Sequence, residues 1–213
     1  MDPDVHRPHL RRPPLPKANE FCDEHAPTGS GFAPDIGRAW EAAFEEAHLP
    51  TQRGVILRTA FVLGRRNAGG AGAVARLAWL ARLGLGGRVA TGTQGFSWIH
   101  EHDLHRLIDR AISDSTMQGL YNAAAPEPLP QQAFMRILRR HAGGLGHLAP
   151  RLGLALPSPA WLVKLGARFI LRTDPELAIL GRYVVSKHLP DLGFVFDYAN
   201  LDAALHDCLQ RSK

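Results

Sequence analysis

The run Gly54-Val55-Ile56-Leu57-Arg58-Thr59-Ala60-Phe61-Val62-Leu63-Gly64 limits the folds open to this chain more than any other segment. It opens on β-branched and aliphatic side chains between glycines, without polar–apolar alternation. Such a strand is covered on both faces, the usual state of a parallel sheet flanked by helices. Helical periods surround it. Trp40, Ala43, Phe44 and Ala47 recur at spacings of three and four, so a helix is expected over 35–48, entered at Pro34-Asp35 and closed by Pro50. A loop with Gly69, Gly70 and Gly72 leads into a second helix, Ala73 to Leu83, ended by Leu85-Gly86-Gly87.

Further along, Phe96 to His100 and Gly119 to Ala124 are predicted as short strands. Between them Leu104, Leu107, Ile108 and Ala111 form one stripe, and Asp103 can cap the helix that carries it through Ile112. Helices are also expected over Leu129–His141, Pro159–Arg172, Glu176–Val185 and Leu201–Leu209, with an extended piece at Phe194-Val195-Phe196. Strands alternating with helices give an α/β class.

Composition excludes several functions. The longest uncharged apolar stretch, near Leu152 to Val163, is interrupted by Pro157 and Pro159 and is too short to span a bilayer. Cys22 and Cys208 are too few and too distant for a disulfide framework, so a reduced, cytoplasmic setting is expected. The formal charge is +5, and residues 134–172 hold seven cations (among them Arg136, Arg139, Arg140, Lys164, Arg168 and Arg172) and no acid. Without aromatic interleaving this reads as a solvated basic face rather than a nucleic-acid surface. Residues 1–19, rich in Pro and Arg, have no period and are expected to be a disordered leader.

Several motifs carry a resemblance. Trp40-Glu41, the run Leu57 to Gly64, Ser97-Trp98-Ile99-His100-x-x-Asp103-Leu104 and Tyr121-Asn122-Ala123-Ala124-Ala125-Pro126-Glu127-Pro128 occur in that order. Leu189-Pro190-Asp191-Leu192-Gly193-Phe194-Val195-Phe196-Asp197-Tyr198 follows them. Together they resemble the C-terminal half of the nucleoside-diphosphate-sugar-epimerase-like family, an atypical branch of the extended short-chain dehydrogenases. The resemblance spans about residues 20–209. It implies a partial Rossmann-type fold lacking its N-terminal strands, over 20–125, plus a small, mostly helical C-terminal lobe, over 126–213. It also implies NADP as cofactor and a small-molecule substrate.

The chemistry is sparse. Family members hold the pyrophosphate on a Gly-rich strand-to-helix turn. No such spacing follows a strand near the start of this sequence, and Gly69-Gly70-x-Gly72 follows a late strand instead. The superfamily's Tyr-x-x-x-Lys dyad, in which Lys lowers the Tyr pKa, would fall on Ala33 and Gly37. No catalytic residue is therefore assigned. By resemblance Arg58 and Thr59, at the end of the strand, face the cofactor, while a buried ion pair is an equal alternative for Arg58. Ser97, Trp98 and His100 line the substrate cleft of related folds, with core packing the alternative for Trp98. His100, His102 and Asp103 diverge at a strand-to-helix junction, so no metal is expected there.

Two function classes stay open: an NADP-dependent epimerase or reductase-like enzyme completed by an N-terminal half, or a non-catalytic binding module of the same architecture. In either case the strand at Val55–Thr59 lacks neighbours, and an exposed sheet edge invites self-association. Size-exclusion chromatography of the purified chain should show oligomers; a cooperative monomer would count against this expectation.

Overall fold

A computed structural model describes residues 21–47, 51–64, 72–83, 87–89, 91–143 and 181–210. The leader at 1–19, the glycines 69 and 70, the helix expected over 159–172 and most of the basic stretch after residue 143 lie outside them.

The long apolar run is two strands, β2 (Val55–Thr59) and β3 (Phe61–Leu63). A two-residue strand β1 (Phe21–Cys22) and helix α1 (Phe32–Ala47) precede them. The division at Ala60 has a cause in pairing. β2 runs parallel to β6 (Gly119–Ala123), with Arg58 opposite Asn122, whereas β3 runs parallel to β5 (Trp98–His100). Ala60 N–H donates to Ala123 O and Phe61 N–H to Ser97 O, so the ladder passes from one partner to the other within two residues. Ala125 N–H then reaches Trp98 O and ties the two pairs together.

Burial along the run is uneven. Leu63 is fully buried, but β2 is only half-buried over Val55–Arg58 and exposed at Thr59. The expectation of a strand covered on both faces is thus corrected over its first half. Val55 and Leu57 pack on a core of Ile99, Leu107, Met117, Tyr121, Leu189 and Phe194. On α1 no residue is buried, and Phe32, Trp40 and Phe44 are exposed. Among the described residues β2 has one strand partner, β6.

Successive residues of β5 serve different cores, as the two-residue repeat of a strand requires. Ile99 belongs to the core just given. Trp98 belongs to the other, with Leu63, Phe134 and Leu138, together with α2 (Ala73–Arg82) and α6 (Leu201–Leu209). Phe134 lies on α4 (Gln131–Ala142) and stacks on Phe96 with ring centroids 3.9 Å apart.

Other expectations shift by local causes. Leu129-Pro130 form β7, antiparallel to β4 (Gly95–Phe96), so α4 starts two residues late. Helix α2 closes on Leu83, before the glycines. Tyr183–Val184 are not helical but form β8, parallel to β1. Gly95 and Gly181 make that crossing possible, because a Cβ on either would overlap the other segment's backbone. Phe194–Phe196, after the short helix α5 (His188–Asp191), belongs to no strand ladder.

Helix α3 (Glu101–Ser113) is capped by His100, whose Nδ1 accepts from His102 N–H at 3.1 Å, and not by Asp103. Asp103 sits in the first turn, fully buried. It accepts Asp197 N–H and Tyr198 N–H, each at 2.9 Å, and Arg106 at 3.1 Å. A buried carboxylate needs that many donors to offset lost hydration. Arg106 also lies over the Phe194 ring, 5.3 Å from its centroid.

Phe134→Ala should cost about 3–5 kcal/mol of unfolding free energy by loss of burial and the cavity left behind, read from the midpoint of denaturant unfolding.

Candidate functional site

A cleft of about 310 Å³ lies beyond the C-terminal end of β2, where open α/β sheets place their ligands. Its walls come from the segment after β1 (Ala26 to Gly29), from α1 (Pro34, Gly37, Arg38, Glu41), from the strand ends Arg58, Thr59 and Ala60, and from Val184 of β8 with Arg182 just before it. Ser97 and Asn122 complete them.

Arg58 does what its geometry allows: Nε and Nη2 donate to Glu41 Oε1 and Oε2, each at 2.7 Å. This two-pronged pair holds α1 against β2. The Arg58 hydrogen bonds keep the Glu41 carboxyl below its ordinary value, and Glu41 in turn raises Arg58. The ion-pair reading of Arg58 is thus realised, on the wall of the cleft and with its Nη1 outside the pair. Thr59 is exposed there too, and its hydroxyl makes a 3.5 Å contact with Leu57 O.

Of the three cleft residues expected from resemblance, only Ser97 lies at the cleft. Its hydroxyl donates to Arg182 O at 2.9 Å and accepts Val184 N–H at 2.6 Å, which fastens β8 to the site. Trp98 is in the core, its indole donating to Glu127 O at 3.2 Å. The His100 ring is buried, stacked on Tyr198 at 3.9 Å, with Nε2 3.3 Å from Asp207. The alternation that sends Trp98 and Ile99 to opposite cores leaves no path from β5 to the cleft.

His100 Nε2, an Asp207 oxygen and Cys208 Sγ lie within 4.8 Å of one another, a grouping that could suggest a metal. The tautomer argues otherwise. Nδ1 accepts a backbone N–H, so the neutral ring carries its proton on Nε2 and offers the trio no lone pair. His102 points away to Asp197 at 2.9 Å.

Sequence reasoning passed over Glu24, Arg38, Asn122 and Arg182. Glu24 is 6% exposed and accepts Asn122 N–H at 2.9 Å, Lys187 N–H at 3.0 Å and the Ser186 hydroxyl. Burial pushes this carboxyl up, but the bonds from Ser186, Asn122 and Lys187 outweigh it and leave it below its ordinary value. Its partners lie 98 to 163 residues away, so no local signal marks it. At Gly37, where the superfamily's Lys would stand, a Cβ would meet nothing within 4 Å.

The parallel pairs, the cleft and the flanking helices define a Rossmann-type short-chain-dehydrogenase fold. Comparisons agree. A domain of unknown function (DUF1731) matches residues 158–208. An epimerase family protein, SDR39U1, of mouse is 32% identical over 90% of this chain and 60% of its own length. Its chloroplastic homologue in Arabidopsis thaliana is 28% identical over 88% and 49%. The crystal structure of human SDR39U1 (isoform2) with NADPH superposes with a TM-score of 0.71 at 28% identity, over 92% of this chain and 61% of that one. The chain belongs to the nucleoside-diphosphate-sugar-epimerase-like family, and it spans about half to three-fifths of these relatives' lengths.

Burial holds the His100 imidazole neutral, below its ordinary value, against the pull of Asp207, Glu101 and Asp103. Its unfolded form gains a proton below about pH 6.5, which the folded form resists. Stability should therefore fall as pH drops through that value, with Glu24 adding a further loss near about pH 4.3 and below. Urea midpoints measured from pH 8 to 5 should show the first decline, and His100→Asn should flatten it.

Proposed function

We propose that this chain forms the cleft and C-terminal lobe of an NAD(P)-dependent epimerase or reductase-like enzyme, working on a small-molecule substrate when joined to an N-terminal half. The observation that carries the reading is the cleft at the C-terminal end of β2, walled by Arg58, Thr59 and Ser97. The NADPH in the human relative's structure supports NADP as the cofactor. Arg58 serves through Glu41 as the wall of the cofactor side, and its remaining Nη1 faces ribose or phosphate. The exposed Phe32, Trp40 and Phe44 of α1, together with β2, are the surface that the N-terminal half covers; alone, they favour self-association. Among the described residues no helix is long and apolar enough to cross a membrane. The free cysteines Cys22 and Cys208 fit a reducing compartment such as the cytoplasm.

A second reading, a binding module without turnover, is favoured by Ala33 and Gly37 at the dyad positions and the open space beside Gly37. Calorimetry separates the cases. Residues 1–213 alone should give no micromolar binding of NADPH, because the pyrophosphate turn is not among their motifs. The same chain preceded by a Gly-rich Rossmann half should gain it. Micromolar binding by 1–213 would refute the two-half reading, and binding without turnover in the joined protein would favour the module.

A further inference from the structure

We infer that the cleft holds a phosphate-binding subsite formed by Arg182 and Arg38, and hence that its ligand is a small phosphate monoester. The inference builds on taking this cleft as the substrate side of the site.

Each carboxylate at the cleft has its own cation: Glu41 binds Arg58, and Asp23 pairs with Lys187. Arg38 shares Asp35, which stands just outside the wall. Arg182 has no carboxylate among the described residues; its Nη1 donates to Pro27 O at 2.8 Å. Among the described residues the cleft thus carries one cation in excess.

Geometry places the second guanidinium beside the first. Arg38 Nη1 donates to Gly29 O at 2.6 Å and Thr28 Oγ1 at 3.1 Å. A Cβ on Gly29 would stand 3.7 Å from Arg182 Nη2. Both guanidiniums therefore hold one tripeptide, residues 27–29, at the cleft wall. Each guanidinium has five N–H donors, more than these contacts use. Two adjacent forks suit a tetrahedral dianion, which offers more acceptors and more charge than a carboxylate. Around them Ala26, Pro27, Pro34, Ala60 and Val184 give an apolar wall for the organic part. The described part of the cleft measures about 310 Å³, within the range of small-molecule sites.

Both arginines sit on fixed elements. Arg38 is on the second turn of α1, which the Arg58–Glu41 pair ties to β2. Arg182 precedes β8, and Ser97 holds its carbonyl.

The test is calorimetric titration of the whole chain with inorganic phosphate at low ionic strength, with acetate as the monoanion control. Saturable phosphate binding is expected, with acetate much weaker. Arg182→Gln and Arg38→Gln should each weaken phosphate by about tenfold, the scale of one charge-assisted pair. Arg136→Gln, a basic residue on α4 away from the cleft, should leave it unchanged. Arg182→Lys keeps charge but not the fork and should fall between wild type and Arg182→Gln. Equal affinity in wild type and both Gln variants, acetate binding as well as phosphate, or no saturable phosphate binding would each overturn the subsite. Phosphate binding is read independently of NADPH. If it holds while the joined protein fails to bind NADPH, the subsite stands and the enzyme reading falls; the converse result spares the enzyme reading and removes the subsite.

Discussion

At Ala60 the central run changes partners, and much of the remaining architecture follows from that step. β2 leans on β6 and β3 on β5, so the chain presents two short parallel ladders offset along a single strand. The offset leaves Arg58 and Thr59 at a strand end beside Asn122 and opens the cleft there. It also lets β5 feed both cores, with Trp98 on one side and Ile99 on the other. A site at a strand end depends on where that strand stops pairing, and here hydrogen bonds over two residues decide it.

Buried carboxylates do the long-range fastening. Glu24 joins the segment after β1 to β6 and to the turn before α5, while Asp103 joins α3 to the loop before α6. Each is surrounded by backbone N–H donors from distant segments, which fixes those segments more tightly than apolar contact alone. Arg58–Glu41 plays the same part at the cleft, in a more exposed place and so with less energy to contribute. Of the three, the Arg58–Glu41 pair lies on the cleft wall itself, beside Arg38 of the same helix.

Much of this was legible beforehand. The apolar run between glycines announced parallel pairing, and the Leu104–Leu107–Ala111 stripe announced α3. The strand at 119–124 appeared as β6, within a residue of its expected end. Asp103 was misassigned because a cap and a buried anchor look alike in sequence: both put a short acid at a helix start. The alternation of β5 was also readable, but whether Trp98 and His100 faced a cleft or a core depended on what lay across from them. Tyr183–Val184 could not be separated from a helix by period, since two residues of strand give none.

The sequence by itself determined the class of fold and the family, because both rest on local period and on motif order along the chain. Tertiary structure alone decided that Arg58 is held by Glu41, that Glu24 is buried under three donors, and that Arg38 and Arg182 converge on residues 27–29. The physical reason is distance along the chain. Arg182 and Pro27 are 155 residues apart, and no periodicity reports which cation will meet a backbone carbonyl, with no carboxylate among the described residues, once the segments have packed.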